Sequence, residues 1–463
     1  MQLSHAASGV SAVFDDPNLV SCGGLAPAVA LAERAGLADL VASRLTLPGG
    51  GGGNAAVKVP GLVAGMVAGA DSIADMDLLR HGGMGRLFDG VRAPSTLGTF
   101  LRSFTFGHVR QLDAVASRFL ARLATATPLL PGAEAVAFVD VDDTIRETHG
   151  YAKQGAGYGY SGVKGLNALL ATISTPTAAP VIAATRLRRG SVNSARGAAR
   201  LVADALACAK AAGAGGLLIV RADSAYYTHD VIAAARRAGA RFSVTARMTK
   251  TVTAAIGSIP ADRWTTIRYP QAIWDDDEQR WISDAEIAEV PLTAFTGRRK
   301  ADHICARLIV RRVRRLNPDT APASHGEQGE LFAAWRYHAA FTDSPLPIRE
   351  AEAAHRGHAV IEQVIADLKN SALAHLPSGK FTANAAWLAL AAVAFNLTRA
   401  AGAAASAFHA RATTATIRRQ LITVPARLAR SGRRLTLHLP TDWPWQAPWQ
   451  ALFTAASTGP PVA

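Results

Sequence analysis

Between residues 135 and 248 the sequence alternates short apolar, strand-like segments with helical ones, and this alternation limits the possible folds most strongly. Three strand-like segments come first, followed by an alanine-rich helix, a strand, a second helix and a further strand. The strand-like segments are AVAFVDVDDT, NALLATIST, VIAATRLRRG, LLIVRADSAYY and RFSVTARM. This order predicts an α/β domain in which helices cover a sheet.

Two of these strands run into acidic residues. AVAFVDVDDT is apolar and β-branched up to its acids, which predicts a buried strand that runs out into a site. Because side chains alternate along a strand, Asp140 and Asp142 lie on one face and Asp143 on the other. We favour Asp142 as the functional acid, with Asp140 as its competitor. The strand LLIVRADSAYY reaches Asp223, which could also serve only as a cap of the next helix.

The stretch HRGHAVIEQVIADLKN, residues 355–370, predicts an amphipathic helix because its apolar residues recur at helical spacing. His355, His358, Glu362 and Lys369 follow one another at intervals of 3, 4 and 7 residues, which puts them on roughly one face. A lone carboxylate among basic groups is more often part of a solvated ion-pair stripe. The two strands that end in aspartates favour a functional acid at Glu362 instead.

Three carboxylates, those of Asp142, Asp223 and Glu362, therefore come from two strands and a later helix of one predicted core. Without a cation they would repel one another and raise each other's pKa. Carboxylate oxygens suit Mg²⁺ or Mn²⁺, and two such ions about 3.5–4 Å apart can support phosphodiester cleavage. Each acid taken alone is more often structural. Together they predict a site for two divalent ions.

The chain is strongly basic, with a formal net charge of +14 over 463 residues. A globular chain of this charge usually binds a polyanion, and nucleic acid is the first candidate. The alternative is a charge that serves solubility alone. Three cysteines far apart in the sequence indicate a reducing, cytoplasmic setting. The longest apolar run, residues 385–395, is too short to span a bilayer and predicts a buried helix, so no membrane partner is expected.

The rest of the sequence indicates five segments. Residues 1–130 read as a helical, DNA-binding domain, and residues 131–249 hold the first part of the α/β core. Residues 250–332 break the alternation with β-type pieces and acidic turns, which predicts a β-rich insertion. The core resumes over residues 333–412, and residues 413–463 form a basic C-terminal segment that can follow phosphates.

A glycine-rich loop at residues 151–165 carries Lys153, Tyr158 and Lys164. Its GAGYG stretch is followed by a strand-like segment and not by a helix, which excludes a dinucleotide-binding turn. A loop whose lysines and tyrosines contact phosphates is the better interpretation.

These motifs together resemble the DDE transposases of bacterial insertion sequences. The motifs are Asp142-Asp143-Thr144 after an apolar strand, RADSAYY around Asp223, and Glu362 followed seven residues later by Lys369. The likeness is to their cut-and-paste branch, the insertion-sequence-four superfamily, and covers roughly residues 130–400. It implies an RNase H-like catalytic core with a β-rich insertion, preceded by a helical N-terminal domain.

The resemblance also implies an activity. Metal-dependent hydrolysis would free the element ends, strand transfer would join them to target DNA, and a DNA hairpin would be the intermediate. Two Mg²⁺ or Mn²⁺ ions held by Asp142, Asp223 and Glu362 would be the cofactors. The partners would be double-stranded DNA with terminal inverted repeats, target DNA, and a second copy of the chain in a homodimer.

Around the glutamate, the family places Tyr, Arg, Glu and Lys on one helix face, and the match here is partial. His355 stands at the Tyr position and His358 at the Arg position, whereas Glu362 and Lys369 match. Both imidazoles can donate to phosphate, and Arg356 could supply the fixed charge.

Relatives also use an aromatic side chain of the β insertion to hold a flipped base. Trp264, Trp274 and Trp281 are the candidates for this role, with core packing as the alternative.

Two other functions fit the same residues. The first is a catalytically inactive protein that binds element ends, and the second is an RNase H-like nuclease that cuts branched or hybrid substrates. The intact set of three acids argues against the first. Inverted repeats beside the coding frame would distinguish a transposase from the second.

Overall fold

The computed structural model describes residues 11–149, 152–159, 161–268, 274–275, 280–281, 285–314 and 335–458. The chain divides into two compact units. The sheet unit comprises Ala116–Thr125 and Leu130–Leu368, and the helical unit comprises Met1–Val115, Ala126–Leu129 and Lys369–Ala463.

The strands of the described residues are, in chain order, β1 (Leu19–Val20), β2 (Val136–Glu147), β3 (Gly157–Tyr158), β4 (Lys164–Ser174), β5 (Val181–Arg189), β6 (Leu217–Ala222), β7 (Arg241–Thr245), β8 (Thr265–Ile267), β9 (Trp274–Asp275), β10 (Arg280–Trp281), β11 (Ala285–Ala294), β12 (Ile304–Arg314), β13 (Trp335–Thr342), β14 (Ala426–Ser431) and β15 (Arg434–His438). The α-helices are α1 (Leu25–Arg34), α2 (Leu37–Arg44), α3 (Ala55–Ala68), α4 (Met84–Leu87), α5 (Pro94–Arg102), α6 (Phe106–Ala126), α7 (Ala198–Ala211), α8 (His229–Arg237), α9 (Lys250–Gly257), α10 (Ile348–Arg356), α11 (Val360–Lys369), α12 (Phe381–Ala405), α13 (Thr414–Ile417) and α14 (Gln446–Ser457).

The core of the sheet unit has the predicted α/β architecture. Strand β2 lies between β4, which runs antiparallel to it, and β6, which runs parallel to it. Beyond them, β5 pairs antiparallel with β4 and β7 pairs parallel with β6. Three antiparallel strands followed by two parallel ones fit the RNase H-like core that the sequence resemblance implied, so the predicted fold class is confirmed.

The register between β2 and β6 brings two of the predicted acids to one edge of the sheet. Asp140 is paired with Arg221, and Val141 is paired with Ala222. Asp142 follows Val141, and Asp223 follows Ala222. Because the two strands are parallel, both aspartates lie side by side where this pairing ends. Strand β2 itself continues to Glu147 in its pairing with β4, so the prediction that Asp142 ends its strand is wrong.

The β-rich insertion continues the same sheet. Strand β13 pairs antiparallel with β7 on one side and with β12 on the other, and β11 and β8 follow outward. Along β12 and β13 the pairing runs from Arg307 and Thr342 to Arg314 and Trp335. The chain therefore leaves the core after β7 and returns to the neighbouring position in the sheet.

In the helical unit, α12 is a 25-residue helix that is buried on nearly all sides. It packs against α1, α3, α5 and α14. By length and composition alone it could cross a membrane, but 89% of the window that passes this test is buried inside the protein. The buried helix predicted for residues 385–395 lies within it.

The predicted segment boundaries and the compact units do not coincide at the C-terminal end. Residues 333–412 were expected to complete the core, yet α12 belongs to the helical unit. Residues 413–463 were expected to form a basic C-terminal segment, and within them β14 pairs with β1 near the start of the chain. Such long-range pairing leaves no trace in local periodicity, which is why the sequence pattern does not predict it.

The predicted helix over residues 355–370 is interrupted near its start. Helix α10 ends at Arg356, a 3₁₀ turn covers Gly357–Ala359, and α11 begins at Val360. Because a 3₁₀ turn has about three residues per turn instead of 3.6, the residues before and after it do not continue one helical face.

Candidate active site

Asp142 and Asp223 form the centre of the candidate site. Asp142 lies on β2, where its Oδ1 accepts a hydrogen bond of 2.7 Å from the backbone N–H of Asp143. Asp223 follows β6 and accepts a hydrogen bond of 2.9 Å from the backbone N–H of Ala225, so it caps the 3₁₀ turn Ser224–Tyr226. A capping role of the kind considered for Asp223 is therefore present, at this 3₁₀ turn.

The pKa values of Asp142 and Asp223 are both raised, so ionisation of either carboxyl group is less favourable than in water. Burial raises the pKa of Asp142 to about 6, and the negative charges of Asp223 and Asp143 add to the rise. Burial also raises the pKa of Asp223, again with a contribution from Asp143. The charge of His358 opposes both shifts. Partly buried carboxylates that disfavour each other's charge are a place where a cation binds favourably.

Asp140, the competing first acid, is fully buried and already paired. Arg221 donates to it through Nε at 2.6 Å and through Nη2 at 2.7 Å, and His358 Nδ1 lies 3.3 Å from Oδ1. Burial alone would raise the pKa of Asp140, but the Arg221 guanidinium and the contact with His358 hold it below its usual value. Both carboxylate oxygens are engaged, which supports the choice of Asp142.

Asp143 points to the other face, as the strand period predicts. It accepts hydrogen bonds from Asn167 Nδ2 at 2.8 Å and from Ser194 Oγ at 3.2 Å, and it forms an ion pair with Arg188. Arg188 in turn donates to the backbone carbonyl of Arg196 at 2.7 Å. Asp143 thus holds β5 and the chain that leads into α7.

His355 occupies a different environment from the phosphate-contacting one expected from the sequence. Its Nδ1 lies 3.0 Å from Ser243 Oγ and its Nε2 lies 3.1 Å from Thr245 Oγ1, so both ring nitrogens face hydroxyl groups of β7. Burial lowers the pKa of His355 to about 4, with further contributions from the charges of His358 and Arg221. The ring is therefore neutral at pH 7 and fixes α10 against β7.

Arg356 and its neighbours surround a buried glutamate. The guanidinium of Arg356 donates to Glu352 through Nε and Nη2, both at 3.1 Å. Arg311 on β12 donates to the same carboxylate at 3.0 Å. Glu352 is only 7% exposed, so its charge depends on these two arginines. Beside them lies a pocket of about 200 Å³, which is also lined by His338, His358 and Glu362.

Glu362 is exposed on α11, whose apolar face is buried through Ile361, Val364 and Leu368. Among the residues that the structure describes, no group of three or more His, Cys, Asp or Glu side chains lies close enough to hold one metal ion. The structure brings Asp142 and Asp223 together, and Glu362 does not join them in this conformation. Lys369 is the last residue of α11.

The donor set at Asp142 and Asp223 fits a divalent ion in part. Both side chains offer oxygen ligands, which Mg²⁺ and Mn²⁺ prefer. Burial and neighbouring carboxylates raise the pKa of both aspartates, and the charge of His358 offsets this rise only in part. A bound cation would favour the ionised form of both carboxyl groups. A third carboxylate has to reach this edge of the sheet before the predicted set is complete.

The glycine-rich loop forms a short hairpin where the structure describes it. Tyr158 of β3 is paired with Lys164 of β4, and Tyr158 is 67% exposed. Lys153 is partly buried, and this burial lowers its pKa. Residues 150, 151 and 160 of this region lie outside the described residues.

The tryptophans of the insertion differ in their surroundings. The Trp264 ring lies 4.1 Å from the guanidinium carbon of Arg312 and 6.2 Å, centroid to centroid, from Tyr337. This contact supports a packing role for Trp264, which was the alternative to holding a flipped base. Trp274 and Trp281 are directly paired in the two-stranded ladder of β9 and β10.

Three residues of the site escaped the sequence reasoning, namely Arg221, Tyr226 and Glu352. Tyr226 is fully buried, and its pKa is raised by this burial and then by the charges of Asp143 and Asp142. The signal in the sequence was Arg221 itself, because an arginine inside the apolar strand LLIVRA requires a buried partner.

Comparison with known proteins gives one family. The family model described as "Transposase DDE domain group 1" matches residues 4–458, which is nearly the whole chain. No curated protein matches the chain.

Proposed function

Because this chain belongs to the transposase family described as DDE domain group 1, we propose that it cuts the ends of a mobile DNA element and joins them to target DNA. The observation that carries the proposal is the placement of Asp142 on β2 and of Asp223 directly after β6, at the point where the parallel pairing of these two strands ends. Their partial burial and mutual repulsion favour a bound cation, as the chemistry requires.

In this proposal Asp142 and Asp223 would hold two Mg²⁺ or Mn²⁺ ions, and Glu362 would complete the set. Bound divalent ions supply Lewis-acid stabilisation of the attacking and leaving oxygens of a phosphodiester. The chain's own residues fix the geometry: the β2–β6 ladder sets the separation of the two aspartates, and the cap at Ala225 orients Asp223. Glu362 lies exposed on α11 and joins the pair when DNA is bound.

We place the protein in the cut-and-paste branch named after insertion sequence four, which implies a hairpin intermediate. Two features support this. A β-rich insertion lies between Asp223 and Glu362, and a lysine follows that glutamate by seven residues on α11. The partners are then terminal inverted repeats, target DNA and a second copy of the chain in a homodimer.

Contacts to DNA are assigned to basic and aromatic residues around the site. We retain His358, Arg356 and Lys369 near the third acid as phosphate contacts. In the hairpin of β3 and β4 we retain Lys153, Tyr158 and Lys164. His355 is assigned instead to holding α10 on β7, because both of its ring nitrogens contact hydroxyl groups.

The flipped-base role is assigned to Trp274 or Trp281. The Trp264 ring already packs on Arg312, which leaves it less suited to stack on a base. The pairing of Trp274 and Trp281 on β9 and β10 places both at one level of a two-stranded ladder.

The test compares three single variants, Asp142→Asn, Asp223→Asn and Glu362→Gln, with the wild-type protein on DNA that carries the inverted repeats flanking the coding frame. Each variant removes a carboxylate charge and keeps the side-chain shape. We expect Mg²⁺-dependent cleavage to fall by about 10²-fold or more, because the reaction needs every ligand, while DNA binding is retained. Asp262→Asn, at an exposed acid of the same unit, is the matched control.

The same assay separates the other candidate functions. Specific binding of the ends by the wild-type protein without cleavage in Mg²⁺ or Mn²⁺ would identify an inactive end-binding protein. Cleavage of branched or hybrid substrates regardless of the end sequence would identify an RNase H-like nuclease. Undiminished cleavage in all three variants would refute the assigned acids.

A further inference from the structure

We propose that Asp140 and Arg221 act as a positioning pair that attaches residues 354–358, the segment leading into the helix of Glu362, to the two strands that carry Asp142 and precede Asp223. The pair lies one level below the candidate site. Asp140 precedes Asp142 by two residues, and Arg221 precedes Asp223 by two residues, so each shares a strand face with its acid. This inference rests on the proposed function only for its catalytic consequence, and its structural part can be tested independently.

The two side chains are fixed to each other more tightly than a surface ion pair. They are register partners on adjacent parallel strands, and the guanidinium forms two parallel hydrogen bonds, of 2.6 and 2.7 Å, with the carboxylate. Asp140 is fully buried and Arg221 is 3% exposed. The guanidinium carbon also lies 4.0 Å from the ring centroid of Phe138. A bidentate pair of this kind has one geometry and little freedom.

Both members of the pair also reach the helical segment. Arg221 donates its remaining Nη1 to the backbone carbonyl of Ala354, near the end of α10, at 2.5 Å. His358 Nδ1 lies 3.3 Å from Asp140 Oδ1. At Gly357 a Cβ atom would lie 2.9 Å from Arg221 Nη1, so the backbone approaches the guanidinium as closely as a glycine allows. The contacts at Ala354 and His358 and the close approach at Gly357 thus attach residues 354–358 to the pair.

This attachment matters because the helical segment shares no ladder with the strands. The β2–β6 ladder alone fixes Asp142 and Asp223, but Glu362 depends on how α10 and the following turn are held. A buried ion pair is a poor source of net stability, since an apolar pair of similar volume usually serves as well. Its value lies in the defined direction of its hydrogen bonds, which transmit the position of the strand ends to the start of α11.

Two substitutions disturb this attachment from opposite sides. Arg221→Lys keeps the positive charge beside Asp140 but removes the planar fork, so one cation can no longer bind both Asp140 and Ala354. Gly357→Ala keeps both members of the ion pair and puts a Cβ atom 2.9 Å from Arg221 Nη1, so the turn and the guanidinium must move apart, while the φ of −61° at Gly357 suits alanine. The matched control is Gly257→Ala at the end of α9, where a Cβ atom would meet no atom within 4 Å.

The first readout is amide hydrogen exchange of the full-length protein without DNA or metal. We expect exchange in residues 354–366 to become about tenfold faster in both variants, the change expected for loss of a hydrogen bond to a charged group. Protection of β2 and β6 should stay unchanged in Gly357→Ala, as should all protection in Gly257→Ala. Unchanged exchange in this segment, or equal loss of protection throughout the sheet in Gly357→Ala, would overturn the proposal.

The second readout is the rate of end cleavage at saturating DNA. Because the attached segment leads into α11, its release should impair the approach of Glu362 to the two aspartates on DNA, lower kcat by about 10²-fold in Gly357→Ala and leave KM for DNA unchanged. An unchanged kcat would overturn the catalytic part of the proposal. If the wild-type protein does not cleave at all, the proposed function fails, and the exchange data still decide whether the pair positions the segment. If Arg221→Lys does not fold, Gly357→Ala alone decides.

Discussion

Replacing Asp142 by asparagine should stabilise the metal-free protein at neutral pH. Burial and neighbouring negative charge raise the pKa of this carboxyl from 3.8 to about 6, so the folded protein disfavours its ionised form. At 1.36 kcal/mol for each pH unit, that difference corresponds to about 3 kcal/mol. Asparagine carries no charge, and its side-chain oxygen can still accept the hydrogen bond from Asp143.

The sign of this effect fixes its dependence on pH. A carboxyl whose pKa is raised on folding binds its proton more tightly in the folded state, so it opposes folding once it ionises. The gain from Asp142→Asn should therefore be absent near pH 3.8, grow as the pH rises towards 6, and be complete above that value. At pH 7.5 it should reach about 3 kcal/mol in the free energy of unfolding.

The assay is urea unfolding in the presence of a chelator between pH 4 and 8. The control is Asp77→Asn in the helical unit, whose side chain is 59% exposed and paired with a neighbouring arginine. Added Mg²⁺ should stabilise the wild-type protein and not Asp142→Asn, since the variant lacks a ligand. A variant that is less stable than the wild type at pH 7.5, or a difference that does not change with pH, would refute the reasoning.

Three further predictions concern charges outside the acid pair. As the pH falls from 6.5 to 4, the wild-type protein should lose up to about 3 kcal/mol of its free energy of unfolding, because the depressed pKa of His355 makes protonation favour the unfolded chain. His355→Gln should remove this loss in urea unfolding. Glu352→Gln should lower the free energy of unfolding by about 2 kcal/mol, measured at pH 7, because the charged carboxylate that accepts hydrogen bonds from Arg311 and Arg356 would be lost. Replacing Arg430, Arg433 and Arg434 in the β14–β15 hairpin by glutamine should reduce the slope of log affinity for DNA against log salt by about 0.9 for each phosphate that the hairpin no longer neutralises. An unchanged slope would exclude the hairpin from the DNA interface.

The sequence pattern predicted those parts of the fold that follow from local periodicity. Short apolar, β-branched runs predicted β2 and β6, and Asp223 follows β6 as expected, whereas β2 continues beyond Asp142 to Glu147. The parallel pairing of these strands then brought the two acids together, as expected for an α/β core. The family match agrees with this reading.

Pairing across the chain was not predictable in the same way. Arg221 finds Asp140 only through the register of two strands separated by 81 residues. His355 turns towards β7 because a 3₁₀ turn follows α10, and the spacing of 3, 4 and 7 residues assumed one continuous helix. The apolar character of α12 predicted its burial but not its membership of the helical unit.

The pairing of β12 with β13 has a practical consequence for engineering. Arg314 and Trp335 are the last paired residues of that ladder, so the two ends of the connection between them lie next to each other. The entropic cost of a longer connection there grows slowly, by about 0.6 kcal/mol for each doubling. A fluorescent reporter or an affinity module spliced between these two positions should leave the catalytic half of the sheet intact, and this offers a way to follow the protein on DNA in living cells.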